Sequence, residues 1–299
     1  MEWIICMAAG GCAGVIGSML GAGSGLVLIP GLALALSTMG VGGADSFKMA
    51  VATTHAANIF TGVSIIQAHA ARGSIDWSIY AIIAPAIALG SALGAYETGL
   101  IDASLVAVVF AGFALLRAWR LMRTPSHAQV LAPLPPAAIL SVKGIGIGAL
   151  AALTGGGGLT AQLLLSHLPE RRAIGTAAAI QLAITPPAAA MFALMDSPSQ
   201  CGANCLGLIY VPAVCAAGVA AVLTAPFGAL LAHALPVVAI RRIFACLLVV
   251  IAGNLALKSL PDSKRFREQA QAFWTAASQV SGELRVEASQ APVWLQMRR

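Results

Sequence analysis

The sequence predicts an all-α polytopic membrane protein built from two homologous, inverted helical repeats, each opening with a glycine-broken helical hairpin. Three observations predict it. Of 299 residues, 59% are hydrophobic and 9% charged, where a soluble domain carries about 25% charged residues. The apolar runs have the length of about 20 residues that spans a hydrocarbon core of about 30 Å. Two glycine clusters, GAGSG at 21–25 and TGGGG at 154–158, interrupt such runs at matching places in two half-sequences.

A broken helix in lipid needs a reason, because backbone N–H and C=O groups released from the ladder cannot meet water there. They are tolerated where protein buries them or where they line a cavity. Paired breaks in two half-sequences are the best pointer in a sequence to a transporter's binding site. The plainer reading is a small-residue packing face of the GxxxG kind.

Taken in order, residues 4–36 are one apolar stretch broken at 21–25. As a single helix it would be about 50 Å long, too long for one ordinary crossing. A signal peptide is not expected, since Met1-Glu2-Trp3 lacks a basic n-region. A polar turn at 37–47 ends in Asp45 and Ser46, a helix start. The next helix, 48–69, carries an unusual polar load: Lys48, Thr53, Thr54, His55, Asn58, Thr61, Ser64 and Gln67. After a short loop to Trp77, helices at 78–98 and 103–122 close the first repeat, residues 1–122.

A basic, proline-rich linker spans 123–137. The second repeat, 138–258, opens with an apolar stretch at 138–168 broken at 155–158. A helix at 172–195 follows, with Thr176, Gln181, Thr185 and the kinking pair Pro186-Pro187. Cys201 and Cys205 share the polar loop SPSQCGANC, a disulfide candidate if the loop faces an oxidising compartment. Apolar segments at 206–230 and 238–258 complete the repeat, and a polar tail occupies 259–299.

The halves align piece by piece. Ser24-Gly25-Leu26 matches Gly157-Gly158-Leu159, and Ala50-Val51-Ala52-Thr53 matches Ala173-Ile174-Gly175-Thr176. In that register Lys48 faces Arg171 and Asn58 faces Gln181. If each broken stretch is a hairpin, the repeats are inverted. Arg72, the basic residues of 117–143, Arg171, Arg172, Arg241 and Arg242 then share one side, in keeping with the positive-inside rule. If each broken stretch crosses once, those loop charges split about evenly between the sides. The basic tail counts against the hairpin arrangement.

With both repeats in view, the chain resembles the sulfite exporter TauE/SafE family of bacterial membrane transport proteins. The residues that carry the resemblance are GVIGSMLGAGSGLVLIP at 14–30, KMAVATTHAANIFTG at 48–62, His69, GSIDW at 73–77, GIGALAALTGGGGL from 146 and RRAIGTAAAIQL from 171. It covers 5–258 and leaves out the tail. It implies a duplicated helical fold in the bacterial inner membrane and transport of sulfur-containing anions: sulfite, organosulfonates, thiosulfate or sulfate. The chain departs from the family at Ser24, where glycine is frequent, and at Thr160-Ala161-Gln162, where the family often continues to a proline.

The residues suggest how an oxyanion would be held. A helix N-terminus carries about half a positive charge and several free N–H groups, and hydroxyls and amides complete a shell. The expected substrate-binding set is Gly23, Ser24, Gly25, Thr53, Thr54 and Asn58 from the first repeat, with Gly156, Gly157, Gly158, Thr176 and Gln181 from the second. Against each stands a bland reading: threonine hydroxyls bond the carbonyl one turn back, and Asn58 and Gln181 bond between helices. His55 is a proton-coupling candidate or a neutral histidine satisfied by a neighbour; Ala178 stands at its counterpart. Lys48 and Arg171 suit interfacial anchors, and His69 and Asp76 belong to the loop.

The partners expected are a small sulfur oxyanion and the lipid bilayer, and homo-oligomerisation is compatible with such a chain. The net charge of +6 does not imply nucleic acid, because the basic residues sit at the ends of apolar runs. No G-x-S-x-G, H-E-x-x-H or intramembrane carboxylate pair occurs, so neither an enzyme, a cofactor nor a metal site is expected. The competing classes are an anion channel and a membrane subunit working with a soluble sulfur-metabolism partner.

Overall fold

The computed structural model describes residues 2–20, 24–123, 133, 135–155, 167–234 and 237–259. Met1–Ala256 forms one compact unit and Leu257–Arg299 a second, of which only 257–259 are among the described residues. The architecture is all-α. In chain order the helices are α1 (Glu2–Leu20), α2 (Ser24–Thr38), α3 (Ser46–Ala70), α4 (Trp77–Leu100), α5 (Ala103–Arg123), α6 (Ala137–Thr154), α7 (Glu170–Ala193), α8 (Val211–Ala234) and α9 (Val237–Ser259). Five segments among the described residues, within α3 to α7, are long and apolar enough to cross a membrane. Their outward faces present Phe60, Trp77, Leu89, Leu93, Tyr96 and Trp119, each about half exposed. Such a surface belongs in lipid, where exposed apolar side chains cost nothing.

The helix boundaries follow from local chemistry. The Asp76 carboxylate accepts the Ile79 N–H at 3.2 Å and caps α4. Gly155, at φ +68°, ends α6 in the left-handed conformation that glycine adopts without strain. One expectation is corrected: the segment from 206 does not begin as helix. Cys205–Leu206 (β1) and Ile209–Tyr210 (β2) pair antiparallel around a turn with Gly207 at φ +60°, and α8 starts only at Val211. Pro212 lacks an N–H and sits in the first turn, where none is needed. Cys201 and Cys205 are joined as a disulfide beside this small hairpin.

Packing joins early helices to late ones, reciprocally. A side chain added at Gly10 would meet the Ala217 backbone and one at Gly14 the Ala221 backbone, while Gly228 faces Val15 and Ser18; α1 and α8 therefore run parallel. Likewise Gly90 faces the Ile145 backbone and Gly94 that of Ala149, so α4 and α6 run parallel. Small residues four apart let the main chains approach, the usual device for helix association in lipid. Thr224 Oγ1 strengthens the first pair by donating to Gly11 O at 2.9 Å. The other extensive contacts are α4 with α7 and α3 with α7. Within the first 38 residues, Gly17 abuts Ser24 and Gly31 abuts Ala9.

Candidate functional site

The centre of the fold is α3. Thr53, Thr54, His55, Asn58 and Thr61 are all buried, and residues three and four apart share a helix face. Thr54 and Asn58 stack one turn apart, with His55 three residues before Asn58. This face meets two helix ends. Ser24, at the start of α2, donates its hydroxyl to Asn58 Oδ1 at 3.2 Å. Gly25 follows and lies against the Gly155 main chain, so that any side chain there would overlap the Gly155 carbonyl. The glycine clusters of the two half-sequences thus touch at Gly25 and Gly155; Gly23, Gly156, Gly157 and Gly158 lie outside the described residues.

His55 reaches the same end of α6. Its Nε2 is 2.7 Å from Ala152 O. That carbonyl is in the last turn of α6, where helices leave carbonyls without an internal partner. The Phe192 ring lies alongside, with centroids 6.0 Å apart. Thr54 Oγ1, His55 Nδ1 and Asn58 Nδ2 are buried and have no hydrogen-bond partner among the described residues. Each such atom left without a partner costs about 1–3 kcal/mol.

Thr53 and Thr176 do something else. Thr53 Oγ1 accepts the Tyr210 N–H at 3.1 Å, and Tyr210 immediately precedes α8. Thr176 Oγ1 accepts the Asp76 N–H at 2.9 Å, and Asp76 immediately precedes α4. The two threonines pin the starts of α8 and α4, each from the other half-sequence.

Gln181 is half-buried on α7. The next residue, Leu182, packs on Gly62 one turn beyond Asn58, so α3 and α7 cross near the two amides. Thr185, one turn past Gln181, is buried with its hydroxyl unpartnered among the described residues. A hydroxyl one turn past Gln181 and directly before Pro186-Pro187 was the signal available for it, and sequence reasoning left it out of the site. Ala152 could not have been found, since its contribution is a carbonyl.

At the helix mouths, Lys48 pairs with Asp45 at 2.8 Å, and Arg172 stands 4.0 Å from Asp76. His69 Nδ1 and Ser74 Oγ are 3.0 Å apart. His69 lies beyond the crossing segment of α3, and its pKa is lowered by burial and by the Arg72 charge. No group of three or more metal-ligating side chains occurs among the described residues.

Comparison with known proteins agrees with this architecture. The family model described as "Sulfite exporter TauE/SafE" matches residues 6–255. A protein of Haemophilus influenzae named "Probable membrane transporter protein" is 28% identical over 260 residues, which is 85% of this chain and 98% of that one. "Probable membrane transporter protein YunE" of Bacillus subtilis is 32% identical over 123 residues, covering 41% of this chain and 45% of that protein. No solved structure shows significant similarity.

Proposed function

Because the chain belongs to the sulfite exporter TauE/SafE family of membrane transporters, we propose that it carries small sulfur oxyanions across the bacterial inner membrane, binding them where α2, α3 and α6 meet. The observation that supports this reading is the trio Thr54 Oγ1, His55 Nδ1 and Asn58 Nδ2, buried on α3 and without a hydrogen-bond partner among the described residues. A polar solute is the partner such atoms lack. Asn58 Nδ2 offers N–H groups and Thr54 a hydroxyl, with the opening N–H groups of α2 at Ser24 and Gly25 beside them. Donors and a helix N-terminus suit an oxyanion without placing a cation in hydrocarbon. Gln181 belongs to the same shell from α7, and Thr185 extends it. Thr53 and Thr176 act instead as pins that hold the helices around the site.

The repeats are the frame of this site: residues 1–122 and 138–258, joined by the linker 123–137 and followed by the tail 259–299. Reciprocal packing supports the duplication, since α1 on α8 and α4 on α6 are the same contact with the halves exchanged. Gly17 against Ser24 and Gly31 against Ala9 support a hairpin for α1 and α2. With that hairpin, α1 and α4 oppose each other; α6 is parallel to α4 and so opposes α1, which makes the repeats inverted. Inverted repeats with broken helices meeting near the midplane are an alternating-access design.

The test is flux into liposomes containing the full chain, with sulfite, methanesulfonate, thiosulfate, sulfate and chloride compared. Saturable flux of sulfur oxyanions, reduced at least about tenfold by Asn58→Ala, is the expected result. Unchanged flux in both Asn58→Ala and Gln181→Ala would remove the amides from the site, and conductance without saturation would make the protein a channel.

A further inference from the structure

The three unpartnered atoms differ in chemistry. A carbonyl can only accept, so the 2.7 Å contact with Ala152 O holds the ring hydrogen of His55 at Nε2. A neutral imidazole with its hydrogen there presents a bare lone pair at Nδ1, and Nδ1 is the buried atom without a partner. Asn58 is the opposite case. Its Oδ1 takes the Ser24 hydroxyl, so its open atom, Nδ2, can only donate. Thr54, with no acceptor of its own, also has a hydrogen to give.

The face is therefore two donors and one acceptor. An oxyanion with no hydrogen satisfies Asn58 and Thr54 but turns a negative oxygen toward the Nδ1 lone pair. An oxyanion that keeps one hydroxyl satisfies all three, donating that hydrogen to Nδ1. Moving the proton onto Nδ1 gives a dianion beside an imidazolium, with the same atoms and the same total charge. In either arrangement one proton enters with each anion.

Resting on the anion-site reading above, we infer that the site selects an oxyanion carrying one exchangeable hydrogen, a hydrogen sulfite type of monoanion, and that His55 Nδ1 is the atom that reads it. An alkylsulfonate, which has no such hydrogen, is the disfavoured member of the same class. The ionisable groups on the elements packed around the ring are few. They are Lys48 two turns earlier on α3 and His69 near its end, Lys143 near the start of α6, Glu170 to Arg172 in the first turn of α7, Arg117, Arg120 and Arg123 on α5, Tyr210 before α8, and Cys215 and His233 on α8. The ring itself contacts the Ala152 main-chain carbonyl and the Phe192 ring.

The experiment uses the full chain in liposomes, with labelled sulfite and methanesulfonate as the two probes. In wild type the KM for sulfite should lie about tenfold or more below that for methanesulfonate. Expressed as total sulfite it should rise with pH once the free anion is mostly dianion, while the methanesulfonate KM stays flat. His55→Gln keeps an N–H able to reach Ala152 but places no acceptor at the δ position; it should bring the two KM values to within about twofold of each other. Saturable flux with an unchanged ratio in His55→Gln, or a sulfite KM independent of pH in wild type, would overturn the assignment to His55 and leave the carrier reading standing. Absence of saturable flux of either anion in wild type would end the carrier reading and this inference with it. If His55→Gln does not fold, the wild-type pH series decides alone.

Discussion

Thr176 on α7 accepts the main-chain amide of Asp76 at 2.9 Å, a hydrogen bond spanning 100 residues of chain. Its mirror is Thr53 with Tyr210 at 3.1 Å. Each bond fixes where a long apolar helix begins, and each ties that helix to the other half-sequence. Helices in lipid gain little from hydrophobic association, so polar pins of this kind carry weight in setting register.

Thr176→Val keeps the shape of the side chain and removes the acceptor, leaving the Asp76 N–H without its partner. It should lower stability by about 1–3 kcal/mol, and Thr176→Ser should restore most of the loss. Thr53→Val should behave alike. Having no shared partner, the two should add within about 0.5 kcal/mol in the double variant. Thermal unfolding of the detergent-solubilised protein measures all four.

Any side chain at Gly25 would overlap the Gly155 carbonyl, and main chain cannot step aside. Gly25→Val should therefore reduce folded yield or cost at least about 1–3 kcal/mol as overpacking, and abolish flux. Gly112→Ala is the opposite-sign control. It lies in α5 with nothing near an added methyl, and helix propensity favours alanine by up to about 1 kcal/mol. Equal melting of the two variants would contradict the close approach of the breaks.

Sidedness follows from the hairpin reading. Cysteines placed at Arg72 and Arg242, both exposed, should be labelled from the same membrane face by an impermeant maleimide, in a chain whose other cysteines are replaced. A cysteine at the exposed Gly202 should be labelled from the other face. If each broken stretch crosses only once, Arg72 and Gly202 share a face instead. In the otherwise native chain, Cys201 and Cys205, being disulfide-bonded, should react only after reduction.

His69 contributes a pH effect with a definite sign. Burial first, and the Arg72 charge second, lower its pKa below the ordinary histidine value of 6.5. On acidification the unfolded chain binds a proton that the folded chain resists, so stability should fall as pH drops from about 6.5 toward the lowered folded value. His69→Gln should flatten that part of the profile. Thermal midpoints between pH 7.5 and 5, read as about 2.303RT per pH unit per proton difference, are the check.

Much of the fold was legible beforehand. Crossing segments are written in composition, because lipid excludes charge wherever it occurs, and seven of the expected helices lie where α3 to α9 are found. The exception is the stretch at 205–210, where a disulfide, Gly207 and Pro212 hold six apolar and polar residues out of the helix; its hydropathy could not distinguish a short covered hairpin from helix. The polar face of α3 was equally visible, since eight polar residues in one apolar helix ask for an explanation. Which of them have partners was not visible. Thr53 and Thr54 are neighbours of identical chemistry, yet one is an acceptor for a loop amide and the other has no partner among the described residues.

The sequence by itself determined that the chain lives in a bilayer, where its helices break, and which helix carries the polar load; each depends on local composition and on a backbone that must satisfy itself in hydrocarbon. Tertiary structure decided the rest. A step of one residue along α3 turns a side chain by about 100°, enough to aim Thr53 at the entry to α8 and leave Thr54 on the face shared with Asn58. Only the packing of α6 beside α3 put a carbonyl at Nε2 of His55, and with it a lone pair at Nδ1.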